Sequence, residues 1–185
     1  MNSTKSKKSA FTLIELIIYI AIVSMVMVML IDFTWNIIDA GTRVEVASEL
    51  TQNSHLVMKK VTNKVRMAQA IITGSSTFNS HPGTLVLDMP GSGTDITFDT
   101  YIKQVSVGTE TVSIRKIRMQ EGVAAAIDLT SDKVEAVNFV FRNFSRGTDA
   151  KNINFECTLN SVNPSSDTIR DKSISFETSV TIRKK

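Results

Sequence analysis

One carboxylate stands inside the longest apolar run of this sequence. From Leu13 to Ile31 only Glu15, Tyr19 and Ser24 interrupt the hydrophobic side chains, and that length crosses ~30 Å of hydrocarbon as a helix. A charged carboxylate at the centre of such a segment costs on the order of 3 kcal/mol, and less near an interface, so Glu15 calls for a partner from outside the segment. The leader before it is basic: Lys5, Lys7 and Lys8 are the only charges in residues 1–10. They follow the positive-inside pattern, which keeps the N-terminus in the cytoplasm and sends the C-terminal part outside.

The remaining reactive residue types are sparse. His55 falls on a helical pattern and His81 in a His-Pro-Gly turn, with no second His or Cys at ligand spacing, so no metal site is expected. Gly91-Ser92-Gly93-Thr94 is too short for a phosphate loop and reads as a turn. Asp88, Asp95 and Asp99 could offer oxygens to calcium, but they do not form a dense acidic loop and read as solvated turn acids. The one cysteine, Cys157, cannot form an intramolecular disulfide and lies on the apolar side of Ile153-Phe155-Cys157-Leu159, as a small buried hydrophobe would. No nucleophile elbow or paired carboxylates are present, so no catalytic residue is assigned, no cofactor is implied and an enzyme is not expected. The chain has 21 basic and 18 acidic side chains; without the leader the two are equal at 18 each. That balance gives no electrostatic case for nucleic acid, beyond a local patch at Arg115, Lys116 and Arg118.

The N-terminus fits ordinary export signals poorly. The apolar run is longer than a secretory h-region and is followed by DFTWNIID rather than a small-x-small cleavage site. A lipoprotein would need a cysteine after the run. The stretch KKSA-FTLIE followed by an apolar helix instead resembles the class III leader of type IV pilins and type II secretion pseudopilins. In that family a membrane-embedded prepilin peptidase cuts on the cytoplasmic side before the Phe and methylates the new amine. Carried over, the resemblance implies a scissile bond between Ala10 and Phe11, N-methylation at Phe11, and Glu15 as the family's acid. The sequence departs from the family twice: Ala10 stands where Gly is usual, and Asp32 stands where many major pilins have a helix-kinking Pro.

These residues need elements to position them. Beyond Ile31, Phe33, Ile37, Ala40, Val44, Ala47, Val57, Val61, Val65, Ala68 and Ile72 recur at three- and four-residue steps with one lapse near Ser54, which predicts a helix with one apolar stripe. Phe11 to Ile72 would then be one helix roughly 90 Å long, with Gly41 as the place for a bend or for a close packing contact. Trp35, just past the apolar run, suits an interfacial anchor. After Gly74 the period changes to two. ITFDTYI, VSIRKIRM, VEAVNFVFRNF, INFECTL and ISFETSVTIRKK are predicted strands, separated by turn residues. The last alternates Ile174, Phe176, Thr178, Val180 and Ile182 against Ser175, Glu177, Ser179, Thr181 and Arg183, which suits an antiparallel sheet backed on one face.

The expected fold is α+β and pilin-like: a long N-terminal helix packed on an antiparallel sheet. The divisions are residues 1–10 as leader, 11–31 as the membrane-spanning and assembly part of the helix, 32–72 as its amphipathic continuation and 73–185 as an extracytoplasmic β-rich headpiece. The pattern LTSDKVEAVNFVF, then ISFETSVTIRKK, is similar to the end of J-type minor pseudopilins and W-type minor pilins. The resemblance implies a structural subunit, minor more than major, of a type IV pilus or a type II secretion system. Its partners would be prepilin peptidase, other pilin or pseudopilin subunits and the cytoplasmic membrane, which it crosses once before entering a filament. The alternatives are a repeating major pilin, or a membrane-anchored adhesin or DNA-uptake receptor that never polymerises.

Overall fold

The computed structural model describes residues 12–91, 94–145, 151–164 and 168–183. The leader lysines Lys5, Lys7 and Lys8, together with Ala10 and Phe11, lie outside the described residues. The chain divides into two compact units, residues 1–41 and 42–185. One helix, α1 (Leu13–Met67), runs through both.

Among the described residues eight strands follow α1: β1 (Ala70–Ile71), β2 (Leu85–Asp88), β3 (Ile96–Val107), β4 (Glu110–Glu121), β5 (Ile127–Asp128), β6 (Val134–Asn143), β7 (Asn152–Ser161) and β8 (Ser173–Thr181). The five strands predicted from alternation are all present. They do not share one sheet, however: β1-β2-β3-β4-β5 form one antiparallel sheet and β6-β7-β8 a second. The 12-residue β3 and β4 form a hairpin turned at Gly108, whose φ of 63° is the left-handed conformation a tight hairpin needs.

The second unit has one core. Val57, Val61 and Val65 of α1 are fully buried and meet Leu85, Leu87, Phe98, Ile117, Phe139, Phe141, Phe155 and Leu159 from both sheets. Burying each such side chain removes ~1.5–3 kcal/mol of apolar exposure. Phe139, Phe141, Phe155 and Phe176 form a ring cluster with centroids 5.0–5.6 Å apart. Cys157 is fully buried in this core, and burial pushes its thiol far above the ordinary cysteine pKa, so it packs as a hydrophobe.

The buried face of α1 differs from the sequence pattern in two respects. Phe33, Ile37 and Val44 remain exposed, and Leu50, Asn53 and Ser54 are buried in place of Ala47. The lapse at Ser54 is a satisfied polar site. Asn53 Nδ2 donates to Glu49 O (2.8 Å) and its Oδ1 accepts from Ser131 N–H (2.8 Å), while Ser54 Oγ donates to Thr51 O (2.8 Å). The helix also ends at Met67 rather than Ile72. There the chain meets Ile71, Ile72 and Thr73, β-branched residues that favour strand. Gln69 N–H bonds to Asp88 O and Ile72 N–H to Val86 O, so β2 takes the segment. Gly41 stays helical, and a Cβ there would meet nothing within 4 Å, so no close contact in this chain explains it.

Charges clamp the outer face of the larger sheet. Lys116, only 3% exposed, lies 2.9 Å from Asp128 and 2.5 Å from Asp132; Lys103 also reaches Asp132 (3.0 Å), and Tyr101 donates to Asp128 (2.9 Å). Arg118 grips Asp99 in a bidentate pair (2.7 and 2.8 Å) and sits over the Tyr101 ring, and Arg115 donates to Thr100. Of the basic residues Arg115, Lys116 and Arg118, Lys116 and Arg118 are paired with aspartates on this face, while Arg115, on the other face by alternation, donates to the neutral Thr100 hydroxyl.

Burial raises the Asp128 pKa, but hydrogen bonds from Lys116 and Tyr101 outweigh it and hold the carboxyl below its ordinary value; bonds from Lys116 and Lys103 lower Asp132 likewise. Their contribution is complete above the unfolded carboxylate value of about 3.9 and is lost as pH falls through the depressed folded values. Lys116→Met should cost on the order of 1–3 kcal/mol at pH 7, toward the low end because both acids are partly exposed and resolvate. Urea unfolding followed at pH 7 and pH 3 should show the gap between wild type and variant narrowing at the lower pH.

Candidate functional site

The site begins where α1 begins. Thr12 precedes the helix, its Oγ1 accepts the Glu15 N–H (3.4 Å) and its carbonyl accepts the Leu16 N–H (3.2 Å). That is N-cap geometry, and Thr12-Leu13-Ile14-Glu15 has the spacing of a capping box, with the acid in the first turn. The positive end of the helix dipole favours a carboxylate at this position. Among the described residues, the Glu15 carboxylate has no hydrogen bond or ion pair of its own.

Polar side chains further along α1 satisfy themselves. Ser24 Oγ donates to Ile20 O, Thr34 Oγ1 to Leu30 O (2.8 Å) and Asn36 Nδ2 to Asp32 O (2.9 Å). Each caps a carbonyl four residues back, so Ser24 adds no unmet hydrogen-bonding demand to the apolar segment. Glu15, the one acid within the apolar run from Leu13 to Ile31, cannot do this, because an ionised carboxylate only accepts.

Around these polar points the helix is apolar on every side. Leu13 is 77% exposed, Ile14 68% and Met25 63%, and among the described residues none of the apolar window is buried. A helix apolar all round is at home in lipid or among other helices, and this one is long and apolar enough to cross a membrane. Trp35 and Phe33 are exposed just past the apolar run, where aromatic rings suit a headgroup boundary.

The second unit ties the base of α1 to one loop that sequence reasoning did not single out as a tether. Ser131 Oγ donates to Glu49 (2.7 Å), and Lys133 pairs with Glu45 (3.1 Å) and reaches Glu49 at 3.8 Å. With the bond from Ser131 N–H to Asn53, three side chains on one helix face hold residues 131–133. The spacing of Glu45, Glu49 and Asn53 at four-residue steps was the available signal.

The other candidate residues are occupied elsewhere. His81 Nδ1 accepts the Phe139 N–H (3.0 Å), and burial together with the Arg115 charge lowers its pKa. His55 is exposed on α1 and Asp99 is held by Arg118. Among the described residues, no three His, Cys, Asp or Glu side chains converge as a metal site.

Residues 5–31 match the prokaryotic N-terminal methylation motif, the hallmark of type IV pilins and pseudopilins. No curated protein and no solved structure matches the chain. The motif spans the basic leader, Ala10, Phe11, Glu15 and the apolar half of α1, and the helix packed on antiparallel sheets is a pilin-like architecture.

A charge placed mid-span tests the membrane assignment. Ile22→Arg adds on the order of 3 kcal/mol to insertion and should shift the chain from the alkali-resistant membrane pellet to the soluble or degraded fraction. Ser24→Val, which removes only a self-satisfied hydroxyl, should leave the pellet fraction unchanged.

Proposed function

We propose that this chain is the precursor of a minor pilin or pseudopilin, processed at its N-terminus and assembled through α1 into a filament of the type IV superfamily, with a role in priming assembly at the tip. The observation that carries the reading is a membrane-length helix, uncovered on all sides, with a single acid in its first turn. The motif match over residues 5–31 supports processing by a prepilin peptidase. Asp32, in place of a kinking Pro, favours a minor subunit over a repeating major one.

In this reading the peptidase enters between Ala10 and Phe11, where a small side chain lets the peptide bond into a narrow site beside the membrane. The freed amine is methylated and remains a cation. It then sits just before Thr12, at the positive end of the helix dipole, where a cation is disfavoured. Glu15 lies four residues on and needs a cation. When helices bundle side by side with an axial stagger, the Phe11 amine of one subunit meets the Glu15 carboxylate of the next. In a water-poor bundle that charge-assisted contact is strong, and it also sets the register between neighbours. The leader lysines hold the uncut N-terminus in the cytoplasm, so the headpiece is extracytoplasmic and the chain crosses the cytoplasmic membrane once.

Two measurements test this. Co-expression with an active prepilin peptidase should lower the intact mass by ten residues and leave N-methyl-Phe11 as the terminus; Ala10→Gly should be cut at least as well, and a bulky residue at position 10 should block the cut. Unchanged mass beside a processed control pilin would overturn the reading. Glu15→Val should leave insertion, cleavage and headpiece folding intact while reducing recovery in sheared filament material or with neighbouring pilins by tenfold or more. Undiminished recovery would mean that Glu15 snorkels to the headgroups without a partner, and wild-type chain found only with the membrane would favour an anchored adhesin or receptor.

A further inference from the structure

The four edges of the two sheets are treated unequally. In the five-stranded sheet both edge strands, β1 and β5, are only two residues long. In the three-stranded sheet, loop 79–83 lies along the free edge of β6. Asn79 N–H donates to Phe141 O (2.8 Å), Gly83 N–H to Phe139 O (2.8 Å), and Phe139 N–H donates to His81 Nδ1 (3.0 Å). A Cβ on Gly83 would stand 3.0 Å from Phe139 O, so the seal depends on glycine. Folded proteins blunt or cover sheet edges because an open one templates pairing with another chain. The edge of β8, nine residues long, is the exception: no described residue hydrogen-bonds along it.

The backbone groups on that edge can be named. Ile182 N–H donates to Lys151 O and Ser161 N–H to Lys172 O (2.9 Å each), and the β7–β8 register is unbroken from Asn152 opposite Thr181 to Asn160 opposite Ser173. Antiparallel residues alternate in direction, so even-numbered residues of β8 bond to β7. Ser173, Ser175, Glu177, Ser179 and Thr181 therefore turn their N–H and C=O groups to the open side.

We propose that this edge pairs antiparallel with β8 of a second copy of the chain, in a register centred on Val180. In that register Ser179 opposes Thr181 and Glu177 opposes Arg183, each twice, and all four are pairs of outward-bonding residues. On the apolar side Val180 meets Val180, and Thr178 meets Ile182. Charge selects the register. Glu177 is exposed and receives only the neutral Asn154 amide (2.8 Å), because the neighbouring Glu156 already takes Arg142 (2.8 Å). Arg183 is exposed, with no ion pair among the described residues. A register centred on Glu177 would overlap the whole strand, but it sets two carboxylates opposite each other beside Glu156, which is destabilising. The paired strands form one six-stranded sheet related by a two-fold axis, and closure removes both open edges.

The test uses full-length chain in membranes. Copies carrying Ser179→Cys and copies carrying Thr181→Cys, separately tagged and co-expressed, should give a disulfide-linked heterodimer on mild oxidation, at least fivefold above either variant alone. Buried Cys157 serves as a constant background. Glu177→Arg or Arg183→Glu should each reduce the link to background, and the two together in one chain should restore it. Near-UV spectra of all variants matching wild type would show that the headpieces remain folded. Absence of the 179–181 link in folded protein, a stronger link between Ser175→Cys and Thr181→Cys copies, or a link indifferent to both charge swaps would overturn the proposal.

Discussion

A carboxylate in the first turn of a helix that is apolar all round finds hydrogen-bond donors in that helix but no countercharge. Hydroxyls and amides can bond back to a carbonyl one turn away, as Ser24, Thr34 and Asn36 do. An ionised acid has no proton to give. Thr12 and the helix dipole ease the position of Glu15 without supplying a countercharge. The Glu15 carboxylate thus lacks a countercharge among the described residues, and in the function proposed above processing of the leader would supply one. In that reading cleavage supplies the cation and assembly depends on the pair, whereas insertion and cleavage do not need Glu15.

The second half of α1 answers to a different solvent. From Leu50 to Val65 only one face is buried, and its valines are the floor of a core shared by two sheets. What fixes the helix to that core is polar as well as apolar. The segment Leu129 to Lys133 touches three partners at once: Leu129 N–H bonds to Ile117 O and Thr130 Oγ1 accepts Ile117 N–H, Ser131 and Lys133 bond to α1, and Asp132 reaches Lys116 and Lys103. One five-residue loop joins the larger sheet, its outer charge cluster and the helix, immediately before β6 opens the smaller sheet.

Much of this was legible in the sequence, for physical reasons that also mark the limits. Long alternating strands such as β7 and β8 show themselves because one face is wet, and the apolar helix shows itself by length alone. Two-residue strands have no period, so β1 and β5 leave no trace, and the division into two sheets is set by long-range pairing that local pattern does not record. The apparent lapse at Ser54 was a buried face whose polar groups are satisfied within the fold. Lys116 read as surface charge because its two acids are supplied by residues 12 and 16 positions away, on the two-residue β5 and in the turn after it, whose path the sequence does not state. At the N-terminal site the motif located Glu15, while the capping role of Thr12 came from the geometry.

In the proposed assembly the Phe11 amine and the Glu15 carboxylate meet between subunits rather than within one. Filaments or initiation complexes assembled from equal parts of isotopically light and heavy chains can be treated with a zero-length carbodiimide, which joins an amine to a carboxylate only where the two already touch. Contact between subunits should give mass spectra in which Phe11–Glu15 amide links join light to heavy peptides about as often as like to like. Links confined to single chains, or an amine joined to some other acid while Glu15 stays free, would contradict it.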